Sequence, residues 1–266
     1  MRCRTWLQAL LPIALAGCMH VQAPPAPPVT DLYARSFGEQ DPSDVRTLAF
    51  VLNGDDGAAV GYQAAQAISD AVPDSLAVAL LRPGFSDDVG NASPGDRGIG
   101  NGDRITRDRM DRVAQAISAY KRRYPTARTV LIGSGGGAAI AADLAGTRPD
   151  LVDGMALVSC PCTLPEWRRY MAQREPEGRW NAPVDSLDPL QTAGGVSTRL
   201  RAAIIVGADD ERTPSRFSRP YAEALALRGI ATDFRILPGK ATVTLEDPEV
   251  VTAVTRLAAA LPEKTP

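Results

Sequence analysis

The chain has 266 residues, of which 44% are hydrophobic and 23% are charged. This length and composition suit one large domain with an ample core. Its 29 basic and 31 acidic residues give a formal net charge of −2, so the basic excess typical of nucleic-acid-binding domains is missing. We therefore expect no nucleic acid among the partners of this protein.

The N-terminus has the pattern of an export signal. Two arginines precede an apolar run over residues 6–15, which is too short to span a bilayer permanently. The run ends in Leu-Ala-Gly-Cys at residues 15–18, which resembles the bacterial lipobox, in which the cysteine is acylated and becomes the first residue of the mature chain. The resemblance implies a signal peptide over residues 1–17 and fatty acids such as palmitate on Cys18. The alternative is an ordinary cleavable signal with an incidental cysteine.

Residues 18–44 are predicted to link the lipid to the folded domain, which is expected to begin near Val45 and to cover residues 45–266. The proline-rich stretch 23–28 favours polyproline II, a semi-rigid spacer. By analogy with lipoprotein sorting in Gram-negative bacteria, Met19 in place of an aspartate favours the outer membrane, facing the periplasm. The lipid alone is then expected to hold the protein at the membrane.

From residue 47 onward, apolar runs alternate with helical patterns, which is typical of a mostly parallel sheet with crossover helices. Strands are predicted at Thr47–Leu52, Leu76–Leu81, Thr129–Ile132, Gly154–Ser159, Ala202–Val206 and Asp233–Leu237. Helices are predicted between Met110 and Arg123 and at Ala138–Ala145, Ser215–Leu227 and Pro248–Leu261. The fold class is therefore α/β, with helices on both faces of the sheet.

Two connections, Arg82–Arg104 and residues 160–198, are long for simple crossovers. Long loops in compact domains are commonly lids or binding loops, so both are expected to roof the carboxyl-terminal edge of the sheet, with 160–198 as the lid. The lid contains Cys160 and Cys162, and an export compartment permits disulfides. These cysteines either close a small, strained Cys-Pro-Cys ring or remain two partly buried thiols.

Residues 129–141 combine an apolar strand, a glycine turn and a helix of small residues. The stretch resembles the nucleophile elbow of the α/β hydrolases, in which Gly-x-Ser-x-Gly holds the catalytic serine on a strained turn. In that frame the pattern is Gly133-Ser134-Gly135-Gly136-Gly137, and Gly135 stands at the nucleophile position. A frame shifted by one makes Ser134 the nucleophile, but it places the β-branched Ile132 in the tight turn.

The resemblance covers nearly the whole folded domain and implies an α/β-hydrolase fold. Asn53-Gly54-Asp55 follows a predicted strand where family members commonly carry His-Gly in the oxyanion loop. Together with Gly136 at a helix N-terminus, these residues are expected to form a cradle for a carbonyl oxygen or an anion. Arg82-Pro83-Gly84 resembles the loop that follows the next strand in many serine hydrolases of this fold.

The resemblance also places the other two members of a catalytic triad. Asp210 stands at the acid position, with Asp209 as the close alternative, and a turn aspartate that caps the region around Ser215 is an equally open interpretation. Thr242 stands where family members usually carry the histidine base. The only histidine of the chain is His20, two residues after the predicted lipid site. The triad-equivalent positions are therefore occupied without an intact triad.

A serine hydrolase needs a group that titrates near neutral pH to take the serine proton and return it. With no histidine in the mature domain, a pairing of Ser134 with Lys240 is the remaining candidate. Loop acids could gather on the same rim and attract a cation, although such acids are more often simply solvated. These acids are Asp55, Asp56, Asp209, Asp210 and Glu211. We expect no metal and no cofactor.

The sequence therefore favours a catalytically inactive α/β-hydrolase-like protein that binds a small molecule or an envelope protein and is held to the membrane by its lipid. The alternative is an active serine-type hydrolase, an esterase or a peptidase, with a non-standard nucleophile. Dinucleotide binding is a third interpretation, because Gly133-x-Gly135-x-x-Ala138 satisfies the Rossmann fingerprint. The next strand, however, ends without the acid that would bind a ribose.

Overall fold

The computed structural model describes residues 28–55 and 60–264. The predictions for the signal peptide, for Cys18 and for Asp56 lie outside these residues. None of the helices within the described ranges has the length and apolar character needed to cross a membrane.

A seven-stranded sheet forms the centre of the domain. Its strands run in the spatial order β1-β3-β2-β4-β5-β6-β7, and every neighbouring pair is parallel except β1 with β3. The strands are β1 (Ala34–Gly38), β2 (Thr47–Leu52), β3 (Ser75–Leu80), β4 (Arg128–Ser134), β5 (Gly154–Val158), β6 (Arg201–Gly207) and β7 (Ala231–Leu237). The six predicted strands are confirmed to within two residues at each end.

In the part of the chain that the structure describes, seven α-helices connect or follow the strands. They are α1 (Val60–Ala71), α2 (Arg107–Arg123), α3 (Gly136–Thr147), α4 (Leu164–Arg174), the single turn α5 (Pro189–Thr192), α6 (Arg219–Leu227) and α7 (Pro248–Ala260). The helix predicted over Ser215–Leu227 divides into a 3-10 turn, Ser215–Phe217, and α6. The division has a clear cause, because Pro220 is favoured in the first turn of a helix and disfavoured in its interior.

The side chains of each central strand alternate between two hydrophobic cores. On β2, Leu48 and Phe50 face the core that contains Ile117 of α2 and Ile140 of α3, whereas Val51 faces the opposite core. That second core is covered by α1 and α7. A parallel sheet covered on both faces leaves its carboxyl-terminal edge as the place where loops meet, which is where ligands bind in open α/β sheets.

Three features of the fold depart from the sequence predictions. Strand β1 lies inside the segment predicted as a linker, so the sheet includes residues well before Val45, where the domain was predicted to begin. Its sequence, Ala-Arg-Ser-Phe-Gly, has no apolar run, and pairing with β3 at the sheet edge supplies its stability. Helices α1 and α4 also went unpredicted, because α1 buries mainly alanines and α4 begins with Leu-Pro inside the predicted lid.

Candidate functional site

A sharp turn joins β4 to α3 at the carboxyl edge of the sheet. Gly135 has φ +50° and ψ −119°, a conformation that residues with side chains rarely adopt, and α3 begins at the next residue. A Cβ atom added at Gly135 would lie 3.8 Å from the Cα of Gly54 and would meet no nearer atom. The turn is therefore strained for a side chain but leaves space for one.

The glycines on either side of the turn, Gly133 and Gly137, have no space for a side chain. A Cβ atom at Gly133 would lie 2.4 Å from the carbonyl oxygen of Gly137, and one at Gly137 would lie 2.2 Å from the carbonyl oxygen of Leu52. Both distances are far below a normal contact, so α3 can pack against β4 and β2 only because these positions lack side chains. This is the geometry of a nucleophile elbow, with an open apex at Gly135.

The turn opens into a cavity of about 720 Å³. The predicted site residues that line it are Asn53, Gly54, Asp55, Ser134, Gly135, Gly136, Asp209, Asp210, Glu211 and Thr242. Its apolar lining includes Ile105, Leu164, Trp167 and Leu245. The structure thus brings Gly135, Asp210 and Thr242, the three positions that the resemblance assigns to a triad, around one space of the size that binds a small molecule.

Ser134, the alternative nucleophile, is partly buried at the end of β4. Its Oγ accepts a hydrogen bond of 2.9 Å from the backbone N–H of Gly54. The pairing with Lys240 that the sequence left open is not the contact that Lys240 makes, because its ammonium group forms an ion pair with Asp247, the N-cap of α7. The described residues contain no histidine, since His20 lies outside them.

The hydrogen bond between Gly54 and Ser134 alters the expected oxyanion cradle. The N–H of Gly54 is engaged by Ser134, so it is not presented to a ligand. Asn53 lines the cavity but is largely buried. Its side chain packs closely against Gly61 of α1, since a Cβ atom at Gly61 would lie 2.2 Å from the side-chain oxygen of Asn53. Gly136 keeps its expected place at the start of α3, where first-turn N–H groups have no partner within the helix.

Asp210 is buried and fully hydrogen-bonded. Its Oδ1 accepts the backbone N–H groups of Arg212 at 3.0 Å and Thr213 at 2.7 Å, while its Oδ2 accepts the hydroxyl of Ser159 at 2.7 Å. The first oxygen therefore stabilises the loop that follows β6. Asp210 is buried rather than solvated, and it caps neither the turn Ser215–Phe217 nor α6, so the turn interpretation holds only in part. Asp209, the alternative acid, lines the cavity but is exposed.

Ser159 is a cavity residue that the sequence reasoning missed. It follows β5 directly, has φ +46° and lines the cavity beside Gly135. A non-glycine residue in the left-handed region is uncommon and is often held there at a functional site. Its position at the end of a strand, as part of the predicted segment Gly154–Ser159, was the only sequence signal for it.

The loop acids do not gather into a cation site. Asp55 forms ion pairs with Arg82 at 2.7 Å and Arg104 at 2.8 Å, and Glu211 pairs with Arg174 on α4. Burial by itself raises the pKa of Asp55, but the two guanidinium groups outweigh burial and lower this pKa below its ordinary value. Among the described residues, no cluster of three potential metal ligands occurs.

The segment predicted as a lid packs over one side of the cavity. Cys160 and Cys162 form a disulfide, and the bridge is fully buried. From α4, the indole N–H of Trp167 donates to the carbonyl of Arg212 at 2.9 Å, and the hydroxyl of Tyr170 donates to that of Glu211 at 2.6 Å. The lid is thus attached to the loop that carries Asp210.

No protein-family model and no curated protein sequence matches this chain. Solved structures do. Est1E from Butyrivibrio proteoclasticus, solved with bound ferulic acid, superposes with a TM-score of 0.65 and 13% identity over 86% of this chain and 95% of its own. A monoacylglycerol lipase from Paleococcus ferrophilus gives 0.60 and 17% over 86% and 98% of the two chains, and an esterase from Pyrococcus furiosus gives 0.63 and 11% over 86% and 90%.

Identities this low establish architecture and leave activity open. The mostly parallel sheet with helices on both faces agrees with these superpositions, which cover most of the chain. The chain therefore has the α/β-hydrolase fold.

Proposed function

We propose that this protein is a catalytically inactive α/β-hydrolase-fold protein that binds a small molecule or an envelope partner through its cavity, and that a lipid on Cys18 anchors it to the bacterial membrane. The observation that carries the proposal is the empty apex of the elbow. Gly135 offers no nucleophile, although the turn has room for one. A cavity with apolar walls and a few polar groups is the usual form of a ligand site.

The chemistry of the remaining groups supports inactivity. Thr242 cannot accept a proton near neutral pH, and the chain has no histidine other than His20. Asp210 accepts hydrogen bonds from a serine hydroxyl and two backbone amides, and the described residues include no histidine for it to orient. Traces of hydrolysis would still be compatible with the proposal, because binding and hydrogen-bond donors alone leave about 10³- to 10⁴-fold acceleration in a triad enzyme stripped of its triad.

The competing function is a serine-type esterase or peptidase that uses Ser134, which does line the cavity. A fluorophosphonate probe distinguishes the two, because it reacts only with an activated serine. We expect the full-length protein to remain unlabelled under conditions that label a known serine esterase completely. Stoichiometric labelling that disappears in Ser134→Ala would overturn the proposal in favour of the esterase.

The anchor has an independent test. Metabolic labelling with an alkyne fatty acid is expected to tag the wild-type protein and to leave Cys18→Ala untagged, because a bacterial lipobox cysteine is the acylated residue. Cys3→Ala is the matched control and should be tagged like the wild type. Equal tagging of wild type and Cys18→Ala contradicts the lipid anchor, together with the outer-membrane, periplasm-facing location that depends on it.

A further inference from the structure

Three arginines surround one aromatic ring beneath the elbow. The guanidinium carbons of Arg82, Arg97 and Arg104 lie 4.2, 4.8 and 5.3 Å from the ring centre of Phe85. We call Arg82, Arg104 and Asp55 the arginine cluster, because Arg97 is exposed while the side chains of Arg82 and Arg104 are only 2% and 10% exposed. Contact with an aromatic face attracts cations, but it does not neutralise them.

The charges of the arginine cluster do not balance. Arg82 and Arg104 both direct a nitrogen at the same oxygen of Asp55, so two buried cations share one carboxylate. Arginine does not give up its proton in proteins, so both side chains remain charged. The cluster therefore carries one net positive charge in a place that is nearly closed to water, and buried charge of this kind is costly unless a counter-ion pairs with it.

The hydrogen bonds of the cluster are incomplete as well. Within the described residues, Nε and Nη1 of Arg82 and Nε of Arg104 are buried without an acceptor. Buried polar groups in native proteins nearly always have a partner, and an unpaired donor on a charged group is among the most costly exceptions. The donors themselves are enclosed by protein, but they leave the positive charge of the two arginines incompletely compensated, which favours an anion close to the cluster.

The cluster lies at the cavity. Arg104 and Asp55 line it, and Nη1 of Arg82 is 3.2 Å from the point where a Cβ of Gly136 would lie. Gly136 begins α3, so the positive end of a helix dipole adds to the field at this place. Away from the cluster, the walls include Ile105, Leu164 and Trp167, which suit an apolar group.

We propose that the cavity binds a monocarboxylate with an apolar body. Its carboxylate lies against Arg104, the buried Arg82 adds positive charge to the same place, and the apolar body lies along Ile105, Leu164 and Trp167. The inference rests on the proposed function, which makes the cavity a binding site. One negative charge matches the single surplus positive charge, whereas a phosphate group near neutral pH brings more than one. Arginine also presents two parallel donors that fit a carboxylate.

The test compares 4-phenylbutyrate with its neutral counterpart 4-phenylbutyramide by calorimetric titration of the full-length protein. The two probes have the same apolar body, so their difference reports the contribution of the charge. We expect the carboxylate to bind at least about tenfold more tightly than the amide, which is typical of one charge-assisted contact in a partly dry site. Equal binding of the two probes, or binding of neither, would overturn the inference.

Variants locate the contact. Arg104→Gln is expected to weaken binding of the carboxylate much more than binding of the amide, so that the preference for the carboxylate falls to less than about threefold, while Arg104→Lys keeps an intermediate preference. Arg212→Gln is the matched control, because Arg212 also lines the cavity but is half exposed and already pairs with Glu175. A carboxylate preference that survives in both Arg104 variants, with circular dichroism showing them folded, refutes the assignment.

The outcomes separate this inference from the proposed function. Equal binding of both probes without fluorophosphonate labelling removes the carboxylate preference and leaves an inactive binding protein. Labelling of Ser134 removes the proposed inactivity whatever the two probes do.

Discussion

The turn after β4 and the loop after β6 line the same cavity, but they resemble different parts of a hydrolase site. At the turn, Gly135 has the backbone geometry of an elbow and no side chain. At the loop, Asp210 keeps a buried carboxylate, and that carboxylate binds the hydroxyl of Ser159 and the backbone of its own loop. The turn has the backbone geometry of an elbow but lacks a nucleophilic side chain. The loop has a carboxylate, but that carboxylate stabilises the loop itself.

Each region has a physical reason to persist without catalysis. The turn is fixed by the close approach of α3 to two strands, which Gly133 and Gly137 permit. Asp210 is fixed because its removal would leave two amides and a hydroxyl without an acceptor in a buried place. Neither an elbow nor a buried acid is therefore evidence of hydrolysis by itself, and each region makes a separate prediction.

The largest effect is expected from rebuilding the site. Gly135→Ser combined with Thr242→His places a nucleophile at the open apex and a base at the position that the resemblance assigns to it. Because triad members act as a unit, each single variant should stay silent, while the double variant gains fluorophosphonate labelling by about 10²-fold or more. The serine must tolerate the strained turn, at a cost of about 1–3 kcal/mol.

The background Ser134→Ala supplies the control for this experiment. It removes the only other serine of the turn, and it also releases the N–H of Gly54 to the cavity. Labelling should therefore persist or increase in this background and map by mass spectrometry to position 135. A folded double variant that stays inert would show that the positions do not form a triad, which leaves the inactivity standing but refutes the assigned register.

The second prediction compares how much stability is lost when alanine replaces two glycines of the turn. Gly137→Ala should lower the free energy of unfolding by about 3 kcal/mol or more, because its Cβ would be 2.2 Å from the backbone oxygen of Leu52, which cannot move freely. Gly135→Ala should lose only about 1–3 kcal/mol, since strain acts there without a clash. Urea denaturation measures both losses, and equal losses would contradict the distinction between apex and flanks.

The loop after β6 gives a smaller effect. Asp210→Ala should lower the free energy of unfolding by about 1–3 kcal/mol, since it leaves buried donors unpaired. Asp209→Ala is the control and should change it by about 0.5 kcal/mol or less, because that side chain is exposed. Ser159→Ala removes one of the three bonds and should lie between them. If Asp209→Ala lowered the free energy of unfolding and Asp210→Ala did not, Asp209 would be the carboxylate that stabilises the loop.

The fold was largely predictable because its signals are local. The central strands are continuous apolar runs such as Thr47–Leu52, and the face of α2 repeats at helical spacing. Strand β1 escaped prediction because its pairing with β3 comes from a distant part of the chain. The elbow could be located from its glycines alone, since close packing on both flanks demands them whatever stands at the apex.

The electrostatics of the cavity were not predictable in the same way. Asp55 reads in the sequence as a solvated loop acid, and its pairing with Arg82 and Arg104 depends on how two loops fold toward each other. Lys240 likewise pairs with Asp247, and the spacing of residues in the sequence did not identify this partner. Contacts between loops are set by tertiary packing. The sequence pattern could therefore identify the charged residues of these loops, but it could not identify the residues with which they pair.

A second buried aspartate tests whether hydrogen bonds explain why Asp210 is retained. Asp143, on the helix that follows the elbow, is fully buried, but only its Oδ1 has a hydrogen bond, from Thr192 at 2.7 Å. Its Oδ2 has no partner among the described residues. Burial raises the pKa of Asp143 from 3.8 to about 8, more than the bond from Thr192 lowers it.

The folded protein therefore holds a proton on Asp143 that the unfolded chain releases at lower pH. Stability from this group is fully present below pH 3.8, falls as the pH rises, and is lost above about pH 8. Asp143→Asn, which cannot ionise, should remove this decline, and its unfolding free energy relative to wild type should rise by about 1 kcal/mol or more between pH 5 and pH 8. Thr192→Val should extend the decline to higher pH, because it removes the bond that favours the charged form and so raises the pKa of Asp143 further. Urea titrations at four pH values measure all three proteins, and parallel curves for wild type and Asp143→Asn would show that this carboxylate is solvated after all.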